Sequence, residues 1–253
     1  MKRLFKDINV IHYHEIDSTN NEAKRLTLNQ NDYPYWVVAD KQTSGRGRKN
    51  RYWVSPKGNF MGTYVIKKDL QKKIIPQISF VVSLALCMTV KHFCEEATNT
   101  EVQLKWPNDL IVNGYKCGGI LIENMDKEIH KEKVIGIGIG VNLVESPENV
   151  NFKASNLKQE LKKHIERDQF LLILDKNINF MFGEWKLGNN YQKILKEWLI
   201  FAYRLNKKVS LSLPSGKKIE GIFDGLDTDG GLILVDGDVK NIFHAAEIYE
   251  GLS

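Results

Sequence analysis

Residues 105–123 have the sequence KWPNDLIVNGYKCGGILIE, which predicts two β-strands joined by a tight turn. The apolar runs 110–112 and 119–123 predict the strands. Between them stands Asn113-Gly114, a dipeptide favoured in two-residue hairpin turns because both central residues need a positive φ. A β-hairpin near the middle of the chain is therefore the first element of the predicted fold.

Three polar side chains flank this hairpin. Asn108 and Asp109 precede its first strand, where an amide beside a carboxylate can hold a hydrated Mg²⁺ or accept a proton; an ordinary turn after proline is the simpler alternative. Lys116 precedes two glycines, so its ammonium lies beside backbone that a substrate could approach, which suits a developing oxyanion. A hairpin lysine next to a glycine bulge is the alternative there.

Residues 136–142, GIGIGVN, form a predicted strand with alternating glycines. The alternation places the glycines on one face and the apolar residues on the other. A dinucleotide-binding loop is excluded, because its glycines follow GxGxxG spacing at a strand-to-helix turn. The glycine face permits close approach by either a ligand or another packed layer.

The rest of the sequence predicts strands and helices on both sides of the hairpin. The predicted strands up to residue 204 are 10–13, 36–39, 60–66, 102–105, 110–112, 119–123 and 134–142. The predicted helices are 19–28, 78–97, 158–182 and 191–203, the first with a capping box of Thr19 and Glu22. After residue 204, short strands at 209–213, 217–223, 232–235 and 239–243 are typical of a small barrel. Two domains are thus expected, residues 1–204 and 205–253.

The charge is concentrated in one segment. Of 253 residues, 36 are Lys or Arg and 31 are Asp or Glu, and the net charge of +5 is too mild for a dedicated nucleic-acid-binding protein. Residues 41–73 nevertheless hold ten basic side chains and one acidic one. An anionic ligand is therefore expected near this segment.

The cellular setting is predicted from what the sequence lacks. Three cysteines without paired spacing indicate neither a disulfide framework nor a zinc site, and a reduced cytoplasmic setting fits them. The N-terminal residues lack the apolar core of a signal peptide. The longest apolar segment, 78–90, is shorter than the about 20 residues that span a bilayer, so we expect a buried helix and no membrane association.

The centre of the basic segment is the loop GRGRKNRYW, residues 45–53. Its glycines allow the backbone to approach a ligand, its guanidinium groups can bind carboxylate or phosphate oxygens, and its aromatic residues can stack on a base. Taken by itself, the segment fits a solvated basic loop or a nucleic-acid patch as well as it fits a ligand-binding loop.

Five segments together resemble the biotin protein ligase family. They are Asp17-Ser18-Thr19-Asn20, Gly45-Arg46-Gly47-Arg48 with a following tryptophan, Lys105-Trp106-Pro107-Asn108-Asp109, Lys116-x-Gly-Gly-Ile-Leu, and the strand ending at Asn142. The resemblance is dense over residues 12–143 and looser beyond. It implies an α+β fold: the mixed sheet of biotin and lipoate ligases, which is like that of class II aminoacyl-tRNA synthetases, and a C-terminal SH3-like β-barrel.

The resemblance also implies an activity. Biotin would react with ATP and Mg²⁺ to give biotinyl-5′-AMP and pyrophosphate, and the biotinyl group would pass to a lysine of a biotin carboxyl carrier domain, as in acetyl-CoA carboxylase, with release of AMP. Both reactants are anions, so Arg48, Lys116 and Mg²⁺ would neutralise their repulsion in a site that excludes water. Asp109 would favour deprotonation of the acceptor lysine.

By similarity, the implied site residues form three sets. The catalytic residues are Lys116, Arg48 and Asp109. Biotin would contact Ser18, Thr19, Asn20, Gln42, Gly45, Arg46, Gly47, Arg48, Lys116 and Gly119. ATP would contact Arg51, Trp53, Lys105, Asn108 and Asn142, with Trp53 stacked on adenine and Asn108 at the metal ion.

The sequence departs from that of some family members, and two other functions are alternatives to biotin ligation. Sixteen residues precede Asp17, so we expect no DNA-binding domain in front. Residues 247–251 lack a following arginine, which leaves a contact between the barrel and ATP open. A homodimer is left open as well. A lipoate ligase shares the adenylate strategy, but its glycine-rich motif with a His-Asp pair is missing. A nucleic-acid-binding module would use residues 41–73 on phosphates, with strongly salt-dependent affinity.

Overall fold

The structure is a computed structural model that describes residues 8–29, 32–94, 99–125, 132–148, 150, 152–213, 215–244 and 246–249. Within these ranges the strands are β1 Val10–Ile16, β2 Tyr35–Gln42, β3 Phe60–Asp69, β4 Val102–Lys105, β5 Asp109–Val112, β6 Tyr115–Asn124, β7 Glu132–Val141, β8 Lys208–Ser212, β9 Lys218–Leu226, β10 Leu232–Asp236, β11 Val239–Phe243 and β12 Glu247–Tyr249. The α-helices are α1 Thr19–Leu26, α2 Gln77–Phe93, α3 Leu157–Glu160, α4 Arg167–Trp185 and α5 Tyr191–Ile200.

The first seven strands form one mixed sheet in the order β1-β2-β3-β7-β6-β5-β4. β1 and β2 run parallel, and the other neighbours are antiparallel. Asn113 and Gly114 join β5 to β6 with φ angles of 51° and 82°, as the dipeptide predicts. The outer edge of β4 is covered by the segment after α5, through a bridge between Leu104 and Ala202.

The two faces of this sheet are covered differently. α2, α4 and α5 pack over one face and share a continuous apolar core with it, in which Leu86, Ile137 and Phe170 are fully buried. The stretch Lys72–Phe93, which contains α2, is apolar and long enough to cross a membrane by length and composition alone, yet most of α2 is buried inside the protein. α1 packs on the other face, where Ala23 contacts a smaller core that includes Val65. The glycines of β7 belong to the α1 face.

The second sheet is antiparallel, with the order β11-β10-β9-β8-β12. Its buried residues Leu211, Phe223 and Leu234 are continuous with the core beneath the larger sheet. The four strands that the sequence predicts are present, and β12 adds a fifth strand beside β8.

The predicted helix 158–182 is wrong as a single element. α3 ends at Glu160, Lys162 has a φ of 52°, and α4 begins only at Arg167. Leu161 and Ile165 in the intervening turn are both buried, so apolar residues recur four apart without a helix. α2 is also shorter than predicted, because Cys94 is extended and the helix ends at Phe93; residues 95–98 lie outside the described ranges.

The predicted capping box at the start of α1 is wrong as well. Ser18 is the N-cap residue, and Thr19 is already helical. The Thr19 backbone N–H donates to Gln42 Oε1 at 2.8 Å, so a side chain from β2 satisfies this helix end. Glu22 accepts a hydrogen bond from the Tyr13 hydroxyl at 2.7 Å instead of reaching back to the cap.

Candidate active site

A cavity of about 850 Å³ opens on the glycine face of the larger sheet. Its walls are the start of α1, the basic loop, the segment before β5, and the strands β6 and β7. Of the residues that the sequence predicts for the site, those on the cavity wall are Ser18, Thr19, Asn20, Gln42, Arg46, Gly47, Arg48, Arg51, Trp53, Lys105, Asn108, Asp109, Lys116 and Gly119.

One end of the cavity is a buried polar network at the start of α1. Gln42 Oε1 accepts from the Thr19 backbone N–H at 2.8 Å and from the Thr19 hydroxyl at 3.1 Å. Gln42 Nε2 donates to Ser55 Oγ at 2.8 Å, which fixes the orientation of the amide. On β3, the Thr63 hydroxyl lies 2.9 Å from Thr19 Oγ1 and 2.5 Å from Asn20 Oδ1. These groups are held in place by one another and form a rigid polar surface.

The alternating glycines of β7 make room for this end of the site. A Cβ atom at Gly138 would lie 2.4 Å from Asn20 Oδ1, and one at Gly140 would lie 2.5 Å from Trp53 Nε1. Any side chain at either position would displace α1 or the indole. The face that the sequence assigns to close approach is therefore used by both a packed helix and a cavity wall.

The basic loop has a definite structure. Gly47 N–H donates to the Arg51 carbonyl at 2.8 Å and Trp53 N–H to the Gly45 carbonyl at 2.9 Å, so the loop is a narrow hairpin. The 3₁₀ turn Arg48–Asn50 closes its tip. Because the two sides are paired, the arginines are presented from an ordered backbone.

The two arginines on either side of Gly47 fasten this hairpin to the cavity wall. Arg46 Nη2 donates to Asn21 Oδ1 at 2.7 Å and lies 3.4 Å from Glu123 Oε2, which also accepts from Asn20 Nδ2 at 2.7 Å. Arg48 Nη1 donates to Asn108 Oδ1 at 3.3 Å. The buried Arg46 Nε has no hydrogen-bond partner within the part of the chain that the structure describes. A buried donor in this position favours an acceptor from outside the protein.

The other end of the cavity contains an ion pair. Lys116 Nζ lies 2.8 Å from Asp109 Oδ1. It also lies over two aromatic rings, at 5.6 Å from the ring centre of Trp53 and 5.2 Å from that of Phe152. The ammonium thus has one carboxylate partner and two aromatic neighbours that attract a cation.

A β-bulge directs Lys116 into the cavity. Leu110 pairs with Gly118 and Ile111 with Lys116, so Cys117 has no partner on β5. Cys117 is fully buried in the core, and burial raises the pKa of its thiol. Because the bulge shifts the alternation by one residue, Lys116 and Gly119 share the cavity side of β6. The bulge that the sequence suggested is therefore present, although the bulged residue is a cysteine, and the lysine lines the cavity.

Asn108 and Asp109 supply oxygen atoms at the same wall. Asn108 Nδ2 donates to the Ile120 carbonyl at 2.7 Å, which leaves Oδ1 directed toward Arg48. No group of three or more His, Cys, Asp or Glu side chains among the described residues is arranged to hold a metal ion. One or two oxygens are, however, what proteins usually offer to a Mg²⁺ that is shared with substrate phosphates, so these residues fit that role.

Two predicted residues lie off the cavity wall. Gly45 is packed behind the hairpin, where a Cβ atom would lie 2.5 Å from the Trp53 carbonyl oxygen. Asn142 is buried, and its Nδ2 donates to the Ser155 carbonyl at 3.0 Å. Its predicted contact with ATP stays a prediction.

Among the site residues that sequence reasoning missed are two in the polar network and two on the cavity wall. Thr63 and Glu123 lie on strands far from α1 in sequence, and only the sheet register brings them to it. Phe152 and Ile248 line the cavity from segments without a motif. The acidic end of the apolar run ILIE was the one signal that could have pointed to Glu123.

Comparisons with known proteins agree with this geometry. A profile of the biotin/lipoate A/B protein ligase family matches residues 13–141, and one of the biotin protein ligase C-terminal domain matches residues 205–249. Biotin--[acetyl-CoA-carboxylase] ligase of Paracoccus denitrificans is 32% identical over 93% of this chain and 98% of that protein. The bifunctional ligase/repressor BirA of Bacillus subtilis is 30% identical over 92% of this chain and 72% of that protein.

A solved structure is similar over nearly its whole length. Biotin protein ligase from Aquifex aeolicus in complex with biotin and ATP superposes with a TM-score of 0.78 at 28% identity, covering 97% of this chain and 98% of that one. The fold and the cavity thus define a ligase of the biotin/lipoate class. Within that class, the chain belongs to the biotin protein ligase family. The predicted α+β fold, a mixed sheet followed by a small antiparallel sheet domain, is confirmed.

Proposed function

We propose that this protein uses ATP to activate biotin as biotinyl-5′-AMP and transfers the biotinyl group to a lysine of a carboxylase's biotin carboxyl carrier domain. The observation that carries the proposal is that one cavity joins a rigid polar end, an arginine hairpin and the Lys116–Asp109 pair. The names of the relatives support the same activity, since they include a biotin--[acetyl-CoA-carboxylase] ligase.

Biotin would lie with its ureido ring at the start of α1. Thr19 and Gln42 are already fixed by mutual hydrogen bonds, so little conformational entropy is lost when they bind a ligand. The Ser18 side chain makes no capping bond to α1 and faces the cavity, which makes its hydroxyl suitable for the ring. The acid's carboxylate would then point along the glycine face toward Lys116.

The first chemical step joins two anions. The biotin carboxylate attacks the α-phosphorus of ATP, the bond from that phosphorus to the bridging oxygen breaks, and pyrophosphate leaves. Lys116 and Arg48 would neutralise the charge that builds up on the transferring group. Bound Mg²⁺, held with help from Asn108, would supply further positive charge at the phosphates. Lys116 must exchange Asp109 for the substrate during this step, because the two now form an ion pair.

The nucleotide would occupy the wall formed by the loop and the segment before β5. Trp53 presents an indole face beside Lys116, and Arg51 and Lys105 place positive charge on the same wall. Stacking on an aromatic ring gives a base affinity without requiring hydrogen-bond readout. The arginine hairpin would also shield the mixed anhydride from water.

The second step transfers the biotinyl group. The neutral amine of the acceptor lysine attacks the biotinyl carbonyl carbon, and AMP leaves with the electron pair of the cleaved bond. Once Lys116 has turned toward substrate, the Asp109 carboxylate can accept the amine's proton. The same carboxylate would thus hold Lys116 before the reaction and serve the acceptor afterwards.

The location of the enzyme in the cell and its partners belong to the same proposal. We infer a cytoplasmic enzyme that binds no DNA. Arg46 and Arg48, at the centre of the basic segment, line the cavity and contact its wall. A homodimer is compatible with the position of β1 at the end of the larger sheet, and size-exclusion chromatography with light scattering tests it.

ATP–pyrophosphate exchange tests the proposed function. The protein is incubated with ATP, Mg²⁺ and labelled pyrophosphate, with biotin or lipoate in parallel. Label should enter ATP only with biotin. Exchange driven by lipoate would assign a lipoate ligase. No exchange with either acid, together with salt-dependent binding to DNA or RNA, would instead favour the nucleic-acid-binding alternative.

A further inference from the structure

The turn between β9 and β10 is inserted into the larger domain. Three consecutive carbonyl groups of this turn each accept a hydrogen bond from a side chain that precedes the small sheet. The donors and acceptors are Gln192 Nε2 to Thr228 O at 2.9 Å, the Tyr191 hydroxyl to Asp229 O at 3.3 Å, and Trp106 Nε1 to Gly230 O at 3.0 Å.

The turn is shaped to make these contacts. Asp227 Oδ1 accepts from the backbone N–H groups of Asp229 at 2.9 Å and Gly231 at 2.6 Å, which closes the turn on itself. Gly230 has a φ of 85°, and a Cβ atom there would lie 2.4 Å from the Tyr191 hydroxyl oxygen. Glycine is therefore required both by the backbone conformation and by the close approach.

The third donor differs from the other two in its position. Gln192 and Tyr191 belong to α5 and do not line the cavity, whereas Trp106 does, two residues before Asn108. The Trp106 side chain is buried, and the backbone N–H of Asn108 donates to Lys105 O at 3.1 Å. The indole and the Asn108 amide are thus parts of one short, tightly bonded segment.

We propose that Trp106 is a positioning residue through which the small domain sets the geometry of the ATP-binding wall. The proposal rests on the proposed adenylate-forming function. A buried indole N–H without an acceptor is unfavourable, so the indole stays where Gly230 accepts its hydrogen bond. Moving the indole moves Asn108, the group proposed to lie at the nucleotide's metal ion, and small misplacements of such groups cost much of the rate. The small domain therefore acts on ATP through Trp106.

The test replaces the indole N–H and keeps an aromatic ring. Trp106→Phe should lower kcat/KM for ATP in the exchange reaction by about fivefold, the factor expected for one lost hydrogen bond, while KM for biotin stays within about twofold. The matched control is Gln192→Ala, which removes a bond to the same turn away from the cavity. It should leave both kinetic constants near those of the wild type.

The outcomes distinguish a positioning role of Trp106 from a turn that only holds the two domains together. If kcat/KM for ATP in Trp106→Phe equals that of wild type, or if Gln192→Ala loses as much, the turn only holds the domains together and the proposal is wrong. If circular dichroism shows that Trp106→Phe does not fold, Asp227→Ala is used in its place, because this substitution loosens the turn and leaves the cavity wall intact. Asp227→Ala should show the same loss of kcat/KM for ATP. If it does not, the proposal is wrong. A wild-type protein without biotin-dependent exchange would instead refute the proposed function itself.

Discussion

Lys116 Nζ lies 2.8 Å from Asp109 Oδ1, across neighbouring strands at the wall of the cavity. The side chains are 21% and 18% exposed, so water still screens the pair in part. A substrate carboxylate can therefore replace Asp109 as the partner of the ammonium without a large barrier from desolvation. The two residues are expected to act in different half-reactions, which makes them separable by mutation.

Lys116→Ala should impair adenylate formation far more than ATP binding. The ammonium acts on charge that develops during transfer, so biotin-dependent pyrophosphate exchange should fall about 10²–10³-fold. ATP affinity, measured by calorimetry, should change by less than about tenfold. Lys57→Ala, in an exposed position outside the cavity, is the control. Exchange near the wild-type rate in Lys116→Ala would show that the lysine has another role.

Asp109→Asn should spare the first half-reaction and slow the second. The amide can still lie beside Lys116 but cannot accept a proton from the acceptor amine, so single-turnover transfer from preformed biotinyl-AMP should slow about 10²-fold. Pyrophosphate exchange should remain within a few-fold of wild type. Equal losses in both assays would mean that Asp109 only orients Lys116.

Arg48→Gly should accelerate release of biotin and of the adenylate. Arg48 ties the loop hairpin to Asn108, and a hydrogen bond from a charged donor is worth about 1.5–3 kcal/mol, which corresponds to roughly 10–100-fold in the dissociation rate. Stopped-flow measurement of biotin dissociation provides the readout. Lys49→Gly is the matched control, because Lys49 is exposed and its φ of 55° suits glycine. An unchanged dissociation rate in Arg48→Gly counts against a closing role.

Asp40→Asn should flatten the dependence of stability on acid pH. Burial alone would raise the Asp40 pKa, but hydrogen bonds from His12, His14 and Arg167 outweigh it and lower the pKa to about 2. A depressed pKa contributes stability above the unfolded value near 4, and this contribution, about 2 kcal/mol, is lost as pH falls from about 4 to 2.

Urea unfolding between pH 5 and pH 2 checks this expectation. The free energy of unfolding of the wild type should fall more steeply with pH than that of Asp40→Asn. Asp168→Asn is the control, since Asp168 also contacts Arg167 but is more exposed. Parallel pH profiles for wild type and Asp40→Asn would show that the cluster adds nothing to stability in acid.

Local chemistry predicted the parts of the fold that depend on neighbouring residues. The Asn113-Gly114 turn and the glycine face of β7 follow from φ preferences and from the period of two, and both are present. The capping box at Thr19 failed because Gln42, distant in sequence, satisfies the same N–H. A long-range partner overrode a correct local rule.

The candidate site could be predicted as a set of segments but not as a geometry. The direction of Lys116 depends on a bulge that falls at Cys117, whereas the sequence placed a possible bulge at the glycines that follow. Glu123 joins the site only through sheet register, and Trp106 acquires its partner Gly230 from 124 residues away. Such contacts are fixed by the packing of the whole chain, and a motif carries no information about them.

The most direct measurement of the central claim is the mass of an acceptor domain after reaction. The biotin acceptor domain of an acetyl-CoA carboxylase is incubated with the protein, biotin, ATP and Mg²⁺ and examined by intact-mass spectrometry. The account predicts the addition of one biotinyl group, lost when ATP is omitted or when the acceptor lysine is replaced by arginine. An acceptor of unchanged mass would contradict it, provided that the protein is folded and that a known biotin ligase modifies the same acceptor sample.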